Sequence, residues 1–221
     1  MSLDYLLLLL PSMLRGLAET LKIFFLTVIF AVPLGLPFAL GSMSKIPPFK
    51  WLSRAYIWLF RGTPLLLQLF FFYFMLPQIS PALRFDRFVV AVFTFALNYA
   101  AYFAEIYRAG IESIDRGQWE ASKSLGFTRW QTMRIIIIPQ TVKRVIPPLS
   151  NEIITLVKDT ALVTVISVSE LLKSAKDAVN RDVNPFAYLV AAVFYLVIII
   201  LLTIVSLRLE KRFSRHEAKL N

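Results

Sequence analysis

Two carboxylates stand in an otherwise apolar stretch of this sequence, and their spacing suits the binding of a cation. Glu152 and Asp159 are seven residues apart, so in a helix they share one face, about 10 Å apart along the axis. Thr155 and Leu156 lie between them on that face. Glu152 has no basic residue three or four positions away. Because a buried carboxylate needs a compensating partner, Glu152 is well suited to receive an ammonium group.

Asp159 and Asn98 each admit a structural explanation as well as a binding role. Asp159 could pair with Lys158 of a partner subunit or with Arg61, as a gate or a structural ion pair. Asn98 falls near the middle of an apolar segment, with Thr94 one turn earlier on the same face. Its amide could simply form a hydrogen bond between helices. Both explanations stay open at this point.

The content of the chain excludes several kinds of chemistry. There is no cysteine, which excludes disulfides, thiolate metal sites and cysteine nucleophiles. The single histidine, His216, cannot form a histidine cluster. The seven glycines form neither a GxGxxG nor a GxxxxGK motif, so the chain has no phosphate cradle of its own. We predict a protein that is not an enzyme and holds no cofactor and no metal.

Long apolar segments must position the polar residues. Hydrophobic residues make up 57% of the 221 residues, against about 45–50% in globular domains. A spanning helix needs roughly 20 mostly apolar residues, and the runs are continuous, which excludes a barrel. The sequence predicts an all-α polytopic membrane protein, one domain over 1–221, with five transmembrane helices at about 12–41, 51–77, 87–109, 145–168 and 185–208.

The basic residues predict the orientation of these spans. The formal net charge is +10, and most Lys and Arg outside the spans lie in the turn at 43–50, the segment 110–144 and the tail after 208. The positive-inside rule then places the N-terminus outside and the C-terminus in the cytoplasm. Topology and contact with anionic lipid explain the charge, so we predict a multi-pass protein of the cytoplasmic membrane that does not bind nucleic acid.

The polar segment at about 110–144 interrupts the apolar pattern. A two-turn helix is predicted at Gln118–Leu125, followed by Gly126. A helix that short is marginal alone, so it must pack against something. Small residues such as Ala121 and Ser122 leave it thin enough to enter a groove on a partner. The alternative is an interfacial helix lying on the membrane, anchored by its tryptophans.

Three motifs cover nearly the full chain and point to a known family. They are RGTPLLLQ at 61–68, AEIYRAGIESIDRGQWEASKSLG at 104–126, and IIPQ…PPLSNEIITLVKDTALVTVIS at 137–167. Together they resemble the permeases of the polar amino-acid uptake family, which are membrane subunits of ATP-driven bacterial (ABC) importers. Two departures are mild: Ser122 stands where the loop motif usually has a second Ala, and Ile138 where it has Leu. The resemblance implies the type I ABC importer permease fold, with a cytoplasmic coupling helix.

The resemblance also implies roles for individual residues. The loop on which the family's ATPase subunit docks corresponds here to Glu120, Ala121, Ser122 and Gly126. In related permeases the counterparts of Asn98 and Glu152 line a mid-membrane amino-acid site. Thr94, Leu156 and Asp159 are expected beside them. The expected substrate-binding set is Asn98, Glu152, Thr94, Leu156 and Asp159.

Partners and function follow from the same resemblance. It implies a dimer of ATP-binding cassette ATPase subunits that bind Mg-ATP, a second permease subunit, identical or paralogous, and an extracytoplasmic solute-binding protein. The expected function is the translocation subunit of an importer for a polar, possibly basic, L-amino acid, with cystine or glutamine as alternatives. A secondary transporter could instead couple ions through Glu152 and Asp159, although no inverted repeat is visible. A channel or structural subunit would need no docking loop.

Overall fold

The computed structural model describes residues 3–214, with only the backbone described at Leu3 and Ser214. Every regular element in this range is helical. His216 and the last basic residues of the tail lie outside the described residues. The first helix, α1, runs over Leu3–Ser42; its 40 residues make it about 60 Å long. The all-α class predicted from the sequence is therefore confirmed for the described part of the chain.

In the described range, which ends at residue 214, nine further α-helices follow α1. Their bounds are α2 Pro47–Gly62, α3 Leu65–Phe70, α4 Leu76–Ile79, α5 Arg87–Glu112, α6 Arg116–Ser124, α7 Arg129–Gln131, α8 Ile138–Asp159, α9 Leu171–Asp182 and α10 Phe186–Ser214. Tighter or wider helical turns join some of them: π-helical turns at Phe71–Met75 and Thr132–Ile137, and 3₁₀ turns at Pro81–Leu83 and Thr160–Ile166.

Within the described part of the chain, three helices are long and apolar enough to cross a membrane. They are Asp4–Ser42, Arg87–Glu112 and Phe186–Phe213, which correspond to the first, third and fifth predicted spans. The second predicted span, 51–77, is broken: Pro47–Gly62 and Leu65–Ile79 qualify only together, as a pair bent by 104°. The fourth, 145–168, is divided between α8 and the following 3₁₀ turn and does not qualify by itself. The count of five spans stays a prediction.

The main core lies between α1, α5 and α8. Phe95 and Phe103 of α5 and Leu156 of α8 are fully buried at its centre. A second cluster joins the first half of α1 to α9 and α10 through residues such as Leu9 and Leu171. By contrast, only 6% of the most apolar stretch of α10 is buried. Most of α10 therefore lies on the outside of the fold, whereas α5 and α8 contribute side chains to its interior.

The chain turns sharply between α8 and α9, over residues 160–170, a segment we call the α8–α9 corner. After the 3₁₀ turn, Ser167 adopts a left-handed conformation with φ 60°, and its carbonyl accepts a hydrogen bond from Arg87 at 2.8 Å. The backbone N–H of Leu171 donates to the hydroxyl of Thr20 on α1 at 3.1 Å. The corner is therefore tied to both α5 and α1.

Glu170 caps α9 from within this corner and is fully buried. Its Oε1 accepts from the hydroxyl of Thr164 at 2.5 Å and from the N–H of Lys173 at 2.6 Å. Its Oε2 accepts from the N–H of Leu172 at 2.7 Å and from the hydroxyl of Tyr195 at 2.9 Å. Four donors satisfy the carboxylate, which is what burial of a charge requires.

Candidate functional site

The candidate site begins at the interruption between α2 and α3, at residues 63–64, which we call the α2–α3 break. Thr63 is extended, with φ −119° and ψ 143°, as expected for a residue that precedes proline. Pro64 has no N–H, so the carbonyl of Phe60 loses the donor that a continuous helix would supply. The break therefore needs side-chain donors to satisfy the freed carbonyls.

Two amides from neighbouring helices supply these donors. Asn98 Nδ2 lies 3.1 Å from the Phe60 carbonyl oxygen, and Gln68 Nε2 lies 2.9 Å from it. Gln68 Nε2 is also within 3.1 Å of the Thr63 carbonyl oxygen, and Asn98 donates to Gln68 Oε1 at 3.0 Å. Asn98 thus bridges α5 to the break, which supports the structural explanation for it without excluding contact with a ligand.

A cavity of about 530 Å³ opens beside the break; we call it the acidic cavity. Its walls come from α5, from α8 and from the backbone around Pro64. The lining residues are Arg61, Gly62, Thr63, Pro64, Leu65, Asn98, Tyr99, Tyr102, Glu152, Thr155 and Asp159. The broken helix therefore makes room for a ligand where an unbroken one would fill the space.

Glu152 and Asp159 face this cavity from α8, as their seven-residue spacing predicts. The hydroxyl of Tyr99 donates to Asp159 Oδ2 at 2.7 Å. Arg61 contacts Glu105 instead, with 3.7 Å between Nη1 and Oε1. Among residues 3–214, no Lys or Arg nitrogen lies within 4.0 Å of either cavity carboxylate. The Arg61 pairing considered for Asp159 is absent within this chain, and both acids are available to a cation.

Thr94 and Leu156 do not line the cavity. The hydroxyl of Thr94 donates to the Val90 carbonyl of its own helix at 2.7 Å, and its side chain is fully buried. Leu156 is fully buried in the main core. Of the five residues expected from the sequence, the structure brings together Asn98, Glu152 and Asp159.

The residues that line the cavity but were outside the expected set include Tyr99, Tyr102 and Thr155, besides the residues around the α2–α3 break. Thr155 and Leu156 both lie one turn from Glu152 and one turn from Asp159, so helical spacing does not distinguish them. Packing of α8 against the core decides that Thr155 faces the cavity. Tyr102 follows Asn98 by four residues, one helical turn, and that spacing was the available signal for it; Tyr99, the next residue after Asn98, gave no such signal.

The predicted docking helix forms as α6, Arg116–Ser124, two residues earlier at its start than expected. The carboxylate of Asp115 caps it by accepting from the Gly117 N–H at 2.6 Å. At its end the N–H of Phe127 donates to the Ser122 carbonyl, and that of Gly126 to the Lys123 carbonyl, each at 3.0 Å. Gly126 is left-handed, with φ 78°. This is a Schellman ending, which strongly favours glycine.

The four residues expected to dock a partner are not equivalent. Glu120, Ala121 and Gly126 are exposed. Ser122 is fully buried, and its hydroxyl donates to the carbonyl of Gln118 at 2.5 Å, so its side chain faces inwards. Beside the helix end Leu125 is 75% exposed. Exposed apolar surface on a polar segment is typical of a contact site.

Comparison with known proteins places this architecture in context. Residues 31–215 match the family described as binding-protein-dependent transport system inner membrane component. The L-cystine transport system permease protein TcyB of Bacillus subtilis is 41% identical over 211 residues, which cover 95% of this chain and 89% of that protein. The arginine transport system permease protein ArtQ of the same organism is 39% identical over 208 residues, which cover 94% of each protein.

A solved structure is similar in fold and in sequence. A chain of the crystal structure of an amino acid ABC transporter with histidines superposes with a TM-score of 0.88 at 39% identity, covering 96% of this chain and 100% of that one. An inward-facing MetNI methionine ABC transporter gives a TM-score of 0.70 at 17% identity, which is a likeness of fold alone.

Proposed function

This chain belongs to the family of binding-protein-dependent transport system inner membrane components, and we propose that it forms the pathway for a polar amino acid in such a system. It is the membrane-spanning translocation subunit of an ABC importer, and it is not catalytic, because the ATPase of these systems is a separate subunit. The ion-coupled and channel alternatives are dropped, since the family places the energy source on another chain.

The acidic cavity is the observation that carries the substrate proposal. Glu152 and Asp159 face it with no Lys or Arg nitrogen within 4.0 Å of either among residues 3–214, although Arg61 also lines the cavity. An amino acid brings at least one ammonium group. A second carboxylate about 10 Å away along the helix axis suits a basic side chain as well. An acidic amino acid would meet like charges in a site of low dielectric. Of the substrates named for the two relatives, arginine has a basic side chain and cystine carries a second ammonium group.

The ATPase docks, in our proposal, on the exposed surface of α6 and its glycine ending. Glu120 and Ala121 present the contact surface, and Gly126 fixes the direction in which the chain leaves the helix. Closure of the ATPase pair on ATP would then move α6 and, through it, the walls of the acidic cavity. The energy of this step is the differential affinity of ATP for the closed state.

Orientation and assembly complete the proposal. The N-terminus lies outside and the C-terminus in the cytoplasm, as the charge distribution predicts. A second permease subunit, identical or paralogous, and an external solute-binding protein complete the importer. A reporter fused after Asn221 is expected in the cytoplasm, and one inserted near Asp182 outside. Both reporters on one side would contradict this orientation.

The substrate proposal is tested in proteoliposomes that contain this chain, its ATPase subunit and its binding protein. ATP-driven uptake is measured for arginine, lysine, histidine, glutamine, cystine and glutamate. We expect Glu152→Gln to lower uptake of the preferred substrate by about tenfold or more, because it removes a charged partner of the ammonium group. Glu19→Gln is the matched control: Glu19 pairs only with Lys22 on α1 and should leave uptake unchanged.

Two results would contradict the substrate proposal: a strong preference for glutamate, or normal uptake by Glu152→Gln. Docking is tested separately by copurification with the ATPase. Gly126→Val should lose the ATPase, because a β-branched residue strains the left-handed conformation. Gly126→Asn tolerates that conformation and should retain it. Equal retention by both variants would remove the role of the helix ending.

A further inference from the structure

A second cavity, of about 520 Å³, adjoins the acidic cavity; we call it the arginine cavity. Arg61, Gly62 and Tyr102 line both cavities. The guanidinium carbon of Arg61 lies 5.4 Å from the centre of the Tyr102 ring. The two cavities therefore meet at a boundary formed by Arg61, Gly62 and Tyr102.

The arginine cavity carries an excess of positive charge. Arg54, Arg61 and Arg108 line it together with a single acid, Glu105. Arg108 engages both oxygens of that acid, with Nε at 3.0 Å from Oε2 and Nη2 at 2.5 Å from Oε1. Both carboxylate oxygens of Glu105 thus already accept hydrogen bonds from Arg108, and Arg61 lies 3.7 Å from the same carboxylate.

Two of the three guanidinium groups keep free donors. Arg61 makes no hydrogen bond to Glu105 at 3.7 Å, because that distance exceeds the usual limit. For Arg54, no carboxylate oxygen lies within 4.0 Å among residues 3–214. Guanidinium donors form a planar fork that matches a carboxylate. The cavity is therefore equipped for an anionic group that residues 3–214 do not supply.

The two cavities together form an electrical gradient along one path. The acidic cavity attracts an ammonium group, and the arginine cavity attracts a carboxylate. A zwitterion in this field is oriented with its carboxylate towards the arginines. Because α2 lies between the predicted cytoplasmic turn at 43–50 and the break, the arginines lie on the cytoplasmic side of the acids in the proposed orientation.

We propose that the arginine cavity is an exit station, in which Arg54 and Arg61 hold the α-carboxylate of the amino acid after it leaves the acidic cavity. This inference rests on the proposed function, and it adds a second binding site on the cytoplasmic side. An amino acid that accumulates in the cytoplasm occupies the station and slows the next cycle. The station thus provides inhibition by product within the permease itself.

The test uses the complete importer in vesicles of neutral phosphatidylcholine, with ATP enclosed so that the cytoplasmic face of active complexes is inside. The initial rate of uptake of labelled arginine is measured against the concentration of unlabelled arginine inside. Argininamide inside is the matched probe, because it lacks the carboxylate. The variants are Arg54→Gln, Arg54→Lys and the control Lys45→Gln, which removes an exposed positive charge from the turn before α2.

We expect internal arginine to inhibit the wild type, and Arg54→Gln to raise the half-inhibitory concentration about tenfold, as for the loss of one charge-assisted contact. Arg54→Lys should recover part of this loss, and Lys45→Gln should behave as the wild type. Argininamide should inhibit the wild type about tenfold more weakly than arginine, and Arg54→Gln should not change its effect.

Normal uptake with no inhibition by internal arginine, or equal inhibition of wild type and Arg54→Gln, would overturn the exit station and leave the proposed function intact. Equal potency of argininamide would overturn the role of the carboxylate. Absence of ATP-driven uptake of any amino acid by the wild type would overturn the proposed function together with the station. If the Arg54→Gln effect appears only in vesicles containing phosphatidylglycerol, the occupant is a lipid headgroup, and the assignment to the amino acid is wrong.

Discussion

The α2–α3 break and the α8–α9 corner solve the same physical problem with opposite results. Each interrupts helical structure in an apolar region, where freed backbone groups must find partners. At the corner, Glu170 and Thr20 satisfy backbone donors, and both side chains are fully buried. At the break, Gln68 and Asn98 satisfy backbone carbonyls, yet a cavity remains beside them.

The difference between the two regions lies in what surrounds the satisfied backbone. At the corner, the hydroxyl of Thr20 on α1 accepts from Leu171 and the carboxylate of Glu170 accepts from Tyr195 on α10, so the polar network holds helices together. The break is enclosed on one side only, and its other side faces Glu152 and Asp159. Polar residues in a membrane protein thus mark function where space and unsatisfied charge remain, and mark scaffold where every partner is taken.

The largest expected effect is at the corner. Glu170→Ala leaves four partly buried donors without their acceptor, and the variant should lose about 3 kcal/mol or more of stability. The midpoint of thermal unfolding of the purified complex in detergent measures this loss. Glu170→Gln keeps one acceptor oxygen and should fall between wild type and Glu170→Ala. A normal midpoint for Glu170→Ala would mean that the corner is not the closed scaffold described here.

Replacing one glycine by alanine in each region tests whether the corner is packed more tightly than the break. At Gly16, which packs against the corner, a Cβ would lie 2.9 Å from the Glu170 carbonyl oxygen and 2.9 Å from the Leu171 Cα. Gly16→Ala should therefore cost about 1–3 kcal/mol. At Gly62, beside the break, a Cβ would meet nothing within 4 Å, so Gly62→Ala should change stability by less than about 0.5 kcal/mol. Equal unfolding midpoints for the two variants would erase the contrast between closed and open surroundings.

The amides at the break allow a smaller test. Gln68→Leu leaves the Thr63 carbonyl without this donor and should cost about 1–3 kcal/mol. The rate of uptake should fall by more than the loss of folded protein explains, because the residues of the break line the acidic cavity. Gln78→Leu, at an exposed position of α4, is the matched control for both measurements. Wild-type uptake by Gln68→Leu would show that the geometry of the break is not needed for transport.

The smallest expected effect concerns a single hydroxyl in the acidic cavity. Tyr99→Phe removes the hydrogen bond to Asp159 and makes that carboxylate less fixed in position. We expect a change of about fivefold in the substrate concentration for half-maximal uptake, corresponding to about 1 kcal/mol, with an unchanged unfolding midpoint. Tyr188→Phe on the exposed α10 is the control and should change neither quantity.

The sequence predicts correctly those features that depend on a single helix. Spacing alone placed Glu152 and Asp159 on one face, and Gly126 at the end of α6 followed from local chemistry. The sequence did not predict the 104° bend at the α2–α3 break. The amide of Asn98, which satisfies the Phe60 carbonyl at this break, lies thirty-four residues after Pro64, so local patterns do not reveal the contact.

The positions of Leu156, Thr155 and Glu170 differ from the expectation, or had none, for the same physical reason. Helical spacing places Leu156 and Thr155 equally near Glu152 and Asp159. Packing against α1 and α5 decides that Leu156 lies in the core. Glu170 received no role from the sequence, because the burial of its carboxylate depends on Tyr195, a residue of the next long helix. Local patterns predict elements and faces, whereas burial by a distant element is invisible to them.

The ties of α1 to the corner have a consequence for the synthesis of this protein. Thr20 contacts Leu171, 151 positions later, and Tyr5 donates to Asp182, 177 positions later. Helix α1 is therefore synthesised long before its partners on α9 exist. Contacts of such long sequence separation form slowly, and chaperones act on unfinished chains of this kind. The contacts that join α1 to the corner and to α9 can therefore form only late in synthesis.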